Sequence, residues 1–322
     1  MIDSLISSKF VIYCEGGLGN RLNSLYSGIY ISKKLGLDYV VCWPLNRMCN
    51  ISLEESFDTE ITTFDISIAD LVATCPAFVL IGHERHLFVN KVHVNPNEFL
   101  TSNSLLNCLR KHKEADFSFV YHNPLIPVYI PIGEVLSSVA LLSFKEKQIT
   151  LGNEVLNINS LRQRKLIALH LRGTDYGFSE QYFARWFLFV KFYPGKVLLL
   201  TDDESLLERF SKLKNVALKG RSTLPKKYNK SLSWNGAVKD EYGREFTYNI
   251  VRDKDSILDS LVDLYILSQS IKLFTSRSTF LQHAYLFSGD KKSIFLLNEL
   301  NRFLHILRFF KKASKSLLGG GK

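Results

Sequence analysis

Apolar positions recur along the chain in two alternating periods. Phe10–Cys14 is a short apolar run, the length of a buried strand. Glu15-Gly16-Gly17-Leu18-Gly19-Asn20 follows, and then Arg21–Leu35 sets Leu22, Leu25, Tyr26 and Ile29 on one helical face. Asp38–Trp43 is again β-branched and apolar until Pro44 stops it, and Phe78–Ile81 and Phe117–Tyr121 are further strand candidates. The second half repeats the order. Lys165–Leu171 predicts a buried strand, Glu180–Val190 a helix, Lys196–Leu200 a strand ended by Thr201-Asp202-Asp203, and Glu204–Leu213 the next helix. Ser256–Ser268 is an amphipathic helix, Lys272–Thr275 a strand, and Phe280–Phe287 a helix that starts after Ser278-Thr279.

Strands alternating with helices predict an α/β fold with parallel sheets and ligands at the carboxyl ends of strands. Pro-rich and polar sequence around residues 124–160 separates the two blocks. The expected organisation is therefore two Rossmann-like domains facing a cleft. Residues 1–155 form the first, 156–300 the second, and 301–322 a basic tail.

Composition narrows the class. Hydrophobic residues are 46% of the 322, which excludes a disordered chain. The five cysteines, Cys14, Cys42, Cys49, Cys75 and Cys108, are odd in number with no CxxC pair, so the expectation is buried thiols in a reducing compartment. The start, Met1–Lys9, has no apolar run of signal-peptide kind, and Phe117–Gly133 carries three prolines and is too short for a membrane span. A cytoplasmic protein is expected.

Three segments could carry chemistry. The loop Gly16–Asn20 lies between a strand and a helix, where backbone N–H groups can receive phosphate. Leu22 stands where the dinucleotide fingerprint needs Gly or Ala, and no Walker Lys-Ser/Thr follows. This argues against a nicotinamide oxidoreductase. His170-Leu171-Arg172-Gly173-Thr174-Asp175 closes an otherwise apolar strand, and a guanidinium there suits a phosphate, or else pairs with Asp175. Asp202 and Asp203, at another strand end, either hold a metal or cap the next helix. No Asp-x-Asp stands at a strand end, which favours metal-independent chemistry. Asp263 interrupts the apolar positions of its helix, either facing solvent or reaching a base edge of a nucleotide. His83, His86 and His93 lack the companions of a zinc site.

Taken in order, Gly17-Leu18-Gly19-Asn20-Arg21-Leu22, the His170–Asp175 segment, Val197–Leu207, Asp263–Gln269 and Ser276-Arg277-Ser278-Thr279 resemble the fucosyltransferase superfamily. That group includes α-1,6-fucosyltransferases, a bacterial nodulation fucosyltransferase and protein O-fucosyltransferases. The resemblance implies a GT-B fold, GDP-fucose or a related GDP-sugar as donor, inversion, and no metal or other cofactor. Carried over by position, it implies that Arg172 holds the β-phosphate with His170 beside it. Asp263 would read guanine, and Ser278 and Thr279 would bind phosphate. Gly17, Gly19, Asn20, Arg21 and Asp202 join the donor site, and Glu180 is the implied base, with Asp175 as its rival. Two positions depart from the pattern: Gly173 replaces a second Arg, and Tyr176 replaces a Lys. The basic segment Lys212–Lys230, either a solvated loop or a border of the pyrophosphate, could compensate for the missing cation.

Lys and Arg number 41 against 31 Asp and Glu, a formal charge of +10. No aromatic-basic RNA motif or helix-turn-helix accompanies it, so no nucleic-acid partner is expected. Asn301–Lys322 holds six Lys/Arg, no acid and several large apolar residues. It reads either as a helix touching an anionic membrane over residues 301–318 or as a closing helix packed across the domains. The function expected is an inverting glycosyltransferase acting on a cell-surface glycan or lipid-linked saccharide. Gly173 keeps open a non-catalytic relative that binds sugar nucleotides or glycans.

Overall fold

A computed structural model describes residues 10–67, 70–71, 78–82, 92–94, 102–114, 118–122, 132–158, 166–171, 180–233, 236–239, 245–246, 249–275, 279–288 and 294–295. Two parallel sheets frame it. The first holds β1 (Phe10–Tyr13), β2 (Tyr39–Cys42), β3 (Thr63–Phe64), β4 (Phe78–Gly82), β5 (Val92–Val94) and β6 (Ser118–His122), in the order β3-β2-β1-β6-β4-β5. The second holds β7 (Ile167–Leu171), β8 (Val197–Thr201), β9 (Val216–Lys219), β10 (Lys272–Thr275) and β11 (Ile294–Phe295), in the order β9-β8-β7-β10-β11. In each, the strand order reverses beside the first strand, between β1 and β6 and between β7 and β10. Such switch points leave a crevice at the carboxyl ends where ligands bind.

Parallel strands buried on both faces need helices on each side. The helices are α1 (Leu18–Leu35), α2 (Leu53–Ser56), α3 (Ser102–Glu114), α4 (Ile132–Val139), α5 (Glu146–Ile158), α6 (Glu180–Phe192), α7 (Glu204–Ser211), α8 (Lys254–Ser268) and α9 (Thr279–Ser288). Helix α1 lies so close on β1 that a Cβ on Gly28 would stand 2.6 Å from Ile12 Cγ2. It begins three residues earlier than its periodicity predicts, because the glycine loop coils directly into its first turn. Asp253 starts α8, its side chain accepting from Ser256 N at 3.0 Å.

The second sheet divides two cores by strand alternation. Ala168, Leu198 and Leu200 face a large core shared with the first sheet and with α1, α8 and α9. Leu169, Leu171, Val197 and Leu199 face the other way, onto Phe183, Trp186 and Val190 of α6 and Phe210 of α7. The aromatic side of α6 thus closes the sheet's outer layer.

Residues 124–160, expected to separate the domains, carry α4 and α5. Their buried positions are sparse (Val135, Val139, Leu156), so the pattern along the sequence is weak and tertiary packing supplies what propensity lacks. The expected boundary at 155/156 falls inside α5. That helix packs on α8 of the second block: a Cβ on Gly152 would meet Tyr265 at 2.4 Å, and Tyr265 Oη donates to Asn153 Oδ1 at 3.0 Å. Cys14, Cys42 and Cys49 are buried thiols and Cys108 is half-buried, while Cys75 lies outside the described residues. Among the described residues no helix is long and apolar enough to cross a membrane. The tail 301–322, His83 and His86 also lie outside them.

Candidate active site

The first wall of the site is the glycine loop at the carboxyl end of β1. Gly16 takes φ +88°, a left-handed value that favours glycine. Gly17 caps α1 without any side-chain hydrogen bond, and the first turn holds no acid, so the helix's own residues leave its first N–H groups to other partners. Arg21 is fully buried beneath this loop. Its Nε donates to Gly16 O at 2.8 Å and its Nη2 to Asn46 Oδ1 at 3.1 Å, and its guanidinium lies over the Trp43 ring at 5.2 Å. The sequence places Arg21 among the donor-binding residues; in the structure it braces the loop from below. Asn20 folds back beside Gly16, its Nδ2 3.2 Å from where a Cβ there would be.

The second wall is built at the carboxyl ends of β7, β8, β9 and β10. His170, next to last in β7, is nearly buried, 3% exposed, and its ring stacks on Phe280 of α9 with centroids 5.5 Å apart. Thr275 of β10 registers beside His170, at the switch point of the sheet. Residues 172–179 and 276–278 lie outside the described residues, and with them Arg172, Gly173, Asp175 and Ser278; Thr279 opens α9, and its side chain is likewise outside them.

Helix α9 joins the two walls. One turn after Thr279, the buried His283 donates from Nε2 to Gly19 O at 2.8 Å, a direction set by the carbonyl's being an acceptor only. Burial pulls its pKa down to about 4, although the Gly19 bond acts the other way, so the ring is neutral near pH 7. Helix α9 of the second block is therefore tied to the first turn of α1, directly after the glycine loop. His283 matches no motif, and its position four residues into an apolar helix carries no signal.

Asp263 overturns one of the two alternatives held for it. It does not face solvent: it is 1% exposed. Nor does it offer a base edge a free carboxylate. Lys219 Nζ stands 2.6 Å from one oxygen, and Arg221 reaches the other from Nε at 2.9 Å and Nη2 at 2.6 Å. Burial alone would raise this carboxyl's pKa, but the fields of Arg221 and Lys219 outweigh it and hold the group below its ordinary value. Arg221 stays protonated in the same way, with Asp263 and then Asp202 overcoming its desolvation. The stretch expected as a solvated loop or pyrophosphate border is not solvated around these residues. Lys219 and Arg221 are 6% and 5% exposed, and Ser222 Oγ and Thr223 N are pinned to Asp259 at 2.9 Å each.

Glu180, the implied base, is paired with a cation. It is 79% exposed and meets Arg209 through two bonds of 2.9 and 2.8 Å. Arg209's hydrogen bonds hold its pKa below the ordinary value, which makes it a poor proton acceptor. Asp203 caps α7 through Ser205 N at 2.9 Å, and Asp202 is buried within the field of Arg221. Among the described residues no group of His, Cys, Asp and Glu is arranged to hold a metal ion.

No family model and no curated protein matches the chain. Solved structures do. The chain is similar to NodZ alpha-1,6-fucosyltransferase co-crystallized with GDP, with a TM-score of 0.52 at 14% identity over 87% of this chain and 93% of that one. Fucosyltransferase NodZ from Bradyrhizobium gives 0.53 at 13% identity over 87% and 92%. The protein therefore has the α/β GT-B fold of these fucosyltransferases, as its motifs predict.

Proposed function

We propose that the protein is an inverting glycosyltransferase that binds a GDP-sugar, with GDP-fucose the favoured donor, in the crevice between the two sheets. What supports this reading most is α9: Phe280 in its first turn stacks on His170 while His283 holds Gly19, which ties together the two elements proposed to receive phosphate. Gly17, Gly19 and Asn20 would bind the donor from one wall and His170 from the other, with Ser278 and Thr279 assigned to phosphate by their motif alone. Residues 1–155 would be the acceptor side and 156–300 the nucleotide side. The NodZ protein carries the name of an alpha-1,6-fucosyltransferase and was crystallized with GDP, which fits this donor.

In the proposed reaction an acceptor hydroxyl oxygen bonds to the sugar C1 as the bond from C1 to the β-phosphate oxygen breaks. The acceptor proton passes to a carboxylate, and the negative charge gathers on the departing diphosphate. Arg172 meets that charge where it develops. Asp175 is favoured over Glu180 as base because Arg209 already occupies Glu180. Asp263 is assigned to holding Lys219 and Arg221 rather than to guanine. A metal-free reaction is supported by Asp203's use as a helix cap and Asp202's place in the field of Arg221. The acceptor is a glycan, surface-bound or lipid-linked.

The test is thermal stabilisation by GDP, UDP, ADP and CMP, each with EDTA and with Mn²⁺, on the native protein and Arg172→Ala. A nucleotide at 100 times its Kd adds about 2.7 kcal/mol. A GDP-selective shift that survives EDTA and fades in the variant is expected. Preference for UDP, or a shift only with Mn²⁺, overturns the donor assignment. The non-catalytic reading, favoured by Gly173 and the engaged Glu180, predicts the GDP shift without sugar transfer.

A further inference from the structure

Helix α6 carries apolar residues on more than one side. Phe183, Trp186 and Val190 are used against the second sheet. The other side carries Ala184, Arg185, Leu188, Lys191 and Phe192, spaced three and four apart and all exposed. Leu188 is 46% exposed and Phe192 66%. Lys191 Nζ lies 5.8 Å from the centroid of the Phe192 ring. The inner side of the helix is already satisfied, so the fold has no use for a phenyl ring left this open.

Three more cations gather at the same end. Asn215 Nδ2 donates to Val190 O at 2.6 Å and to Tyr193 O at 3.1 Å, which fastens the turn between α7 and β9 to the last turn of α6. Lys212 and Lys214 stand exposed on that turn, and Lys196 is exposed where the chain enters β8. The side chains of Lys196, Lys212 and Lys214 make no hydrogen bond or ion pair among the described residues. Of the carboxylates on the two helices, Glu180 is held by Arg209 and Glu204 lies at the opposite end of α7. That leaves Glu208, one turn before Lys212, against five cations with Arg185 included. The strands of the second sheet start from this end, opposite the carboxyl ends that carry the candidate site.

We propose that this face, Leu188 and Phe192 with Lys191, Lys196, Lys212 and Lys214, docks on an anionic lipid bilayer. The ring enters the interface while the ammonium groups stay at the headgroups. Charge complementarity selects this occupant. The tail 301–322 has six Lys/Arg and no acid, and a second copy would bring the same lysines, so both are repelled by the face. A nucleic acid would satisfy the lysines and stack on Phe192, but it offers no apolar bed for Leu188. The surface is distinct from residues 301–318, and the proposal does not depend on the GDP-sugar reading.

Co-sedimentation of the full chain with two kinds of vesicle tests it: phosphatidylcholine alone, and phosphatidylcholine mixed with phosphatidylglycerol. Native protein should bind the anionic vesicles and release them as salt is raised. A lysine at such a surface is worth roughly fivefold in affinity, so K196Q/K212Q/K214Q should weaken binding about a hundredfold. Phe192→Ser should weaken it about tenfold, and because the ring is exposed the free protein should melt unchanged. Native-like binding by both variants overturns the proposal, as does equal binding to the two kinds of vesicle. Loss of binding only when Arg308, Lys311 and Lys312 of the tail are replaced by Gln also overturns it. Binding of a single-stranded oligonucleotide that K196Q/K212Q/K214Q loses, with no binding to either vesicle, overturns it in favour of a nucleic acid.

Discussion

Replacing Asp263 by Asn removes one negative charge from a place where two cations stay buried. Lys219 and Arg221 are then left with a neutral amide that has one acceptor oxygen in place of two, and its NH₂ group points donors at donors. Removing one partner of a buried ion pair costs about 3–5 kcal/mol, whereas replacing the whole set by apolar groups of similar volume is often neutral. With about 2.1 cal/mol/K of unfolding entropy per residue, the 322-residue chain gives up roughly 0.7 kcal/mol per degree, so Asp263→Asn should melt about 4–7 °C lower at pH 7. The pH dependence carries a sign of its own. Asp263's folded pKa is depressed, so its contribution is complete above the ordinary carboxylate value of 3.8 and is lost as pH falls through the lower folded value. The gap between native protein and variant should therefore shrink below about pH 4. Adding Lys219→Met to Asp263→Asn should restore some of the loss at pH 7. Differential scanning calorimetry of the three proteins from pH 3 to 7 measures all of this. An unchanged Tm at pH 7, or a gap that stays constant into acid, refutes the buried ion-pair account. Loss of GDP-over-ADP selectivity in the folded variant would return Asp263 to the base.

Two further outcomes follow from neighbouring groups. His283 is neutral and buried with a pKa of about 4, against 6.5 when unfolded, so the unfolded chain binds a proton first and about 3 kcal/mol of stability should drain away between pH 6.5 and 4. Urea titrations of native protein and His283→Gln at pH 7 and 4.5 check this: the variant should be less stable at pH 7 and lose less on acidification, and parallel losses would sink the idea. In transfer assays, Glu180→Gln should keep turnover within tenfold while Asp175→Asn abolishes it, since Arg209 already occupies Glu180; the reverse pattern makes Glu180 the base.

Much of the frame is legible in residue order. β7 reads Ile-Ala-Leu-His-Leu, buried throughout, and β8 reads Val-Leu-Leu-Leu-Thr. Each is followed by a polar turn and a helix with an apolar stripe, and that repeated sequence of periods is enough for a doubly wound α/β chain. The glycine loop after β1 and the polar residues closing β7 and β8 can be placed at strand ends for the same reason. α4 and α5 are not legible in this way, because their few buried residues, such as Val135 and Leu156, mean something only when α8 and α1 lie alongside.

By itself, then, the sequence determined the order of strands and helices, the loops at the carboxyl ends and the pattern that resembles a sugar-nucleotide enzyme. These are local properties, written at spacings of two to four residues. Charge partnership is not local. Arg221 and Asp263 are separated by 42 residues, and Gly19 and His283 by 264. Whether Asp263 meets water, a base or two cations depended on where β9 and α8 came to rest. Burial then magnified the choice, because a carboxylate out of water must find its counter-charges within the fold.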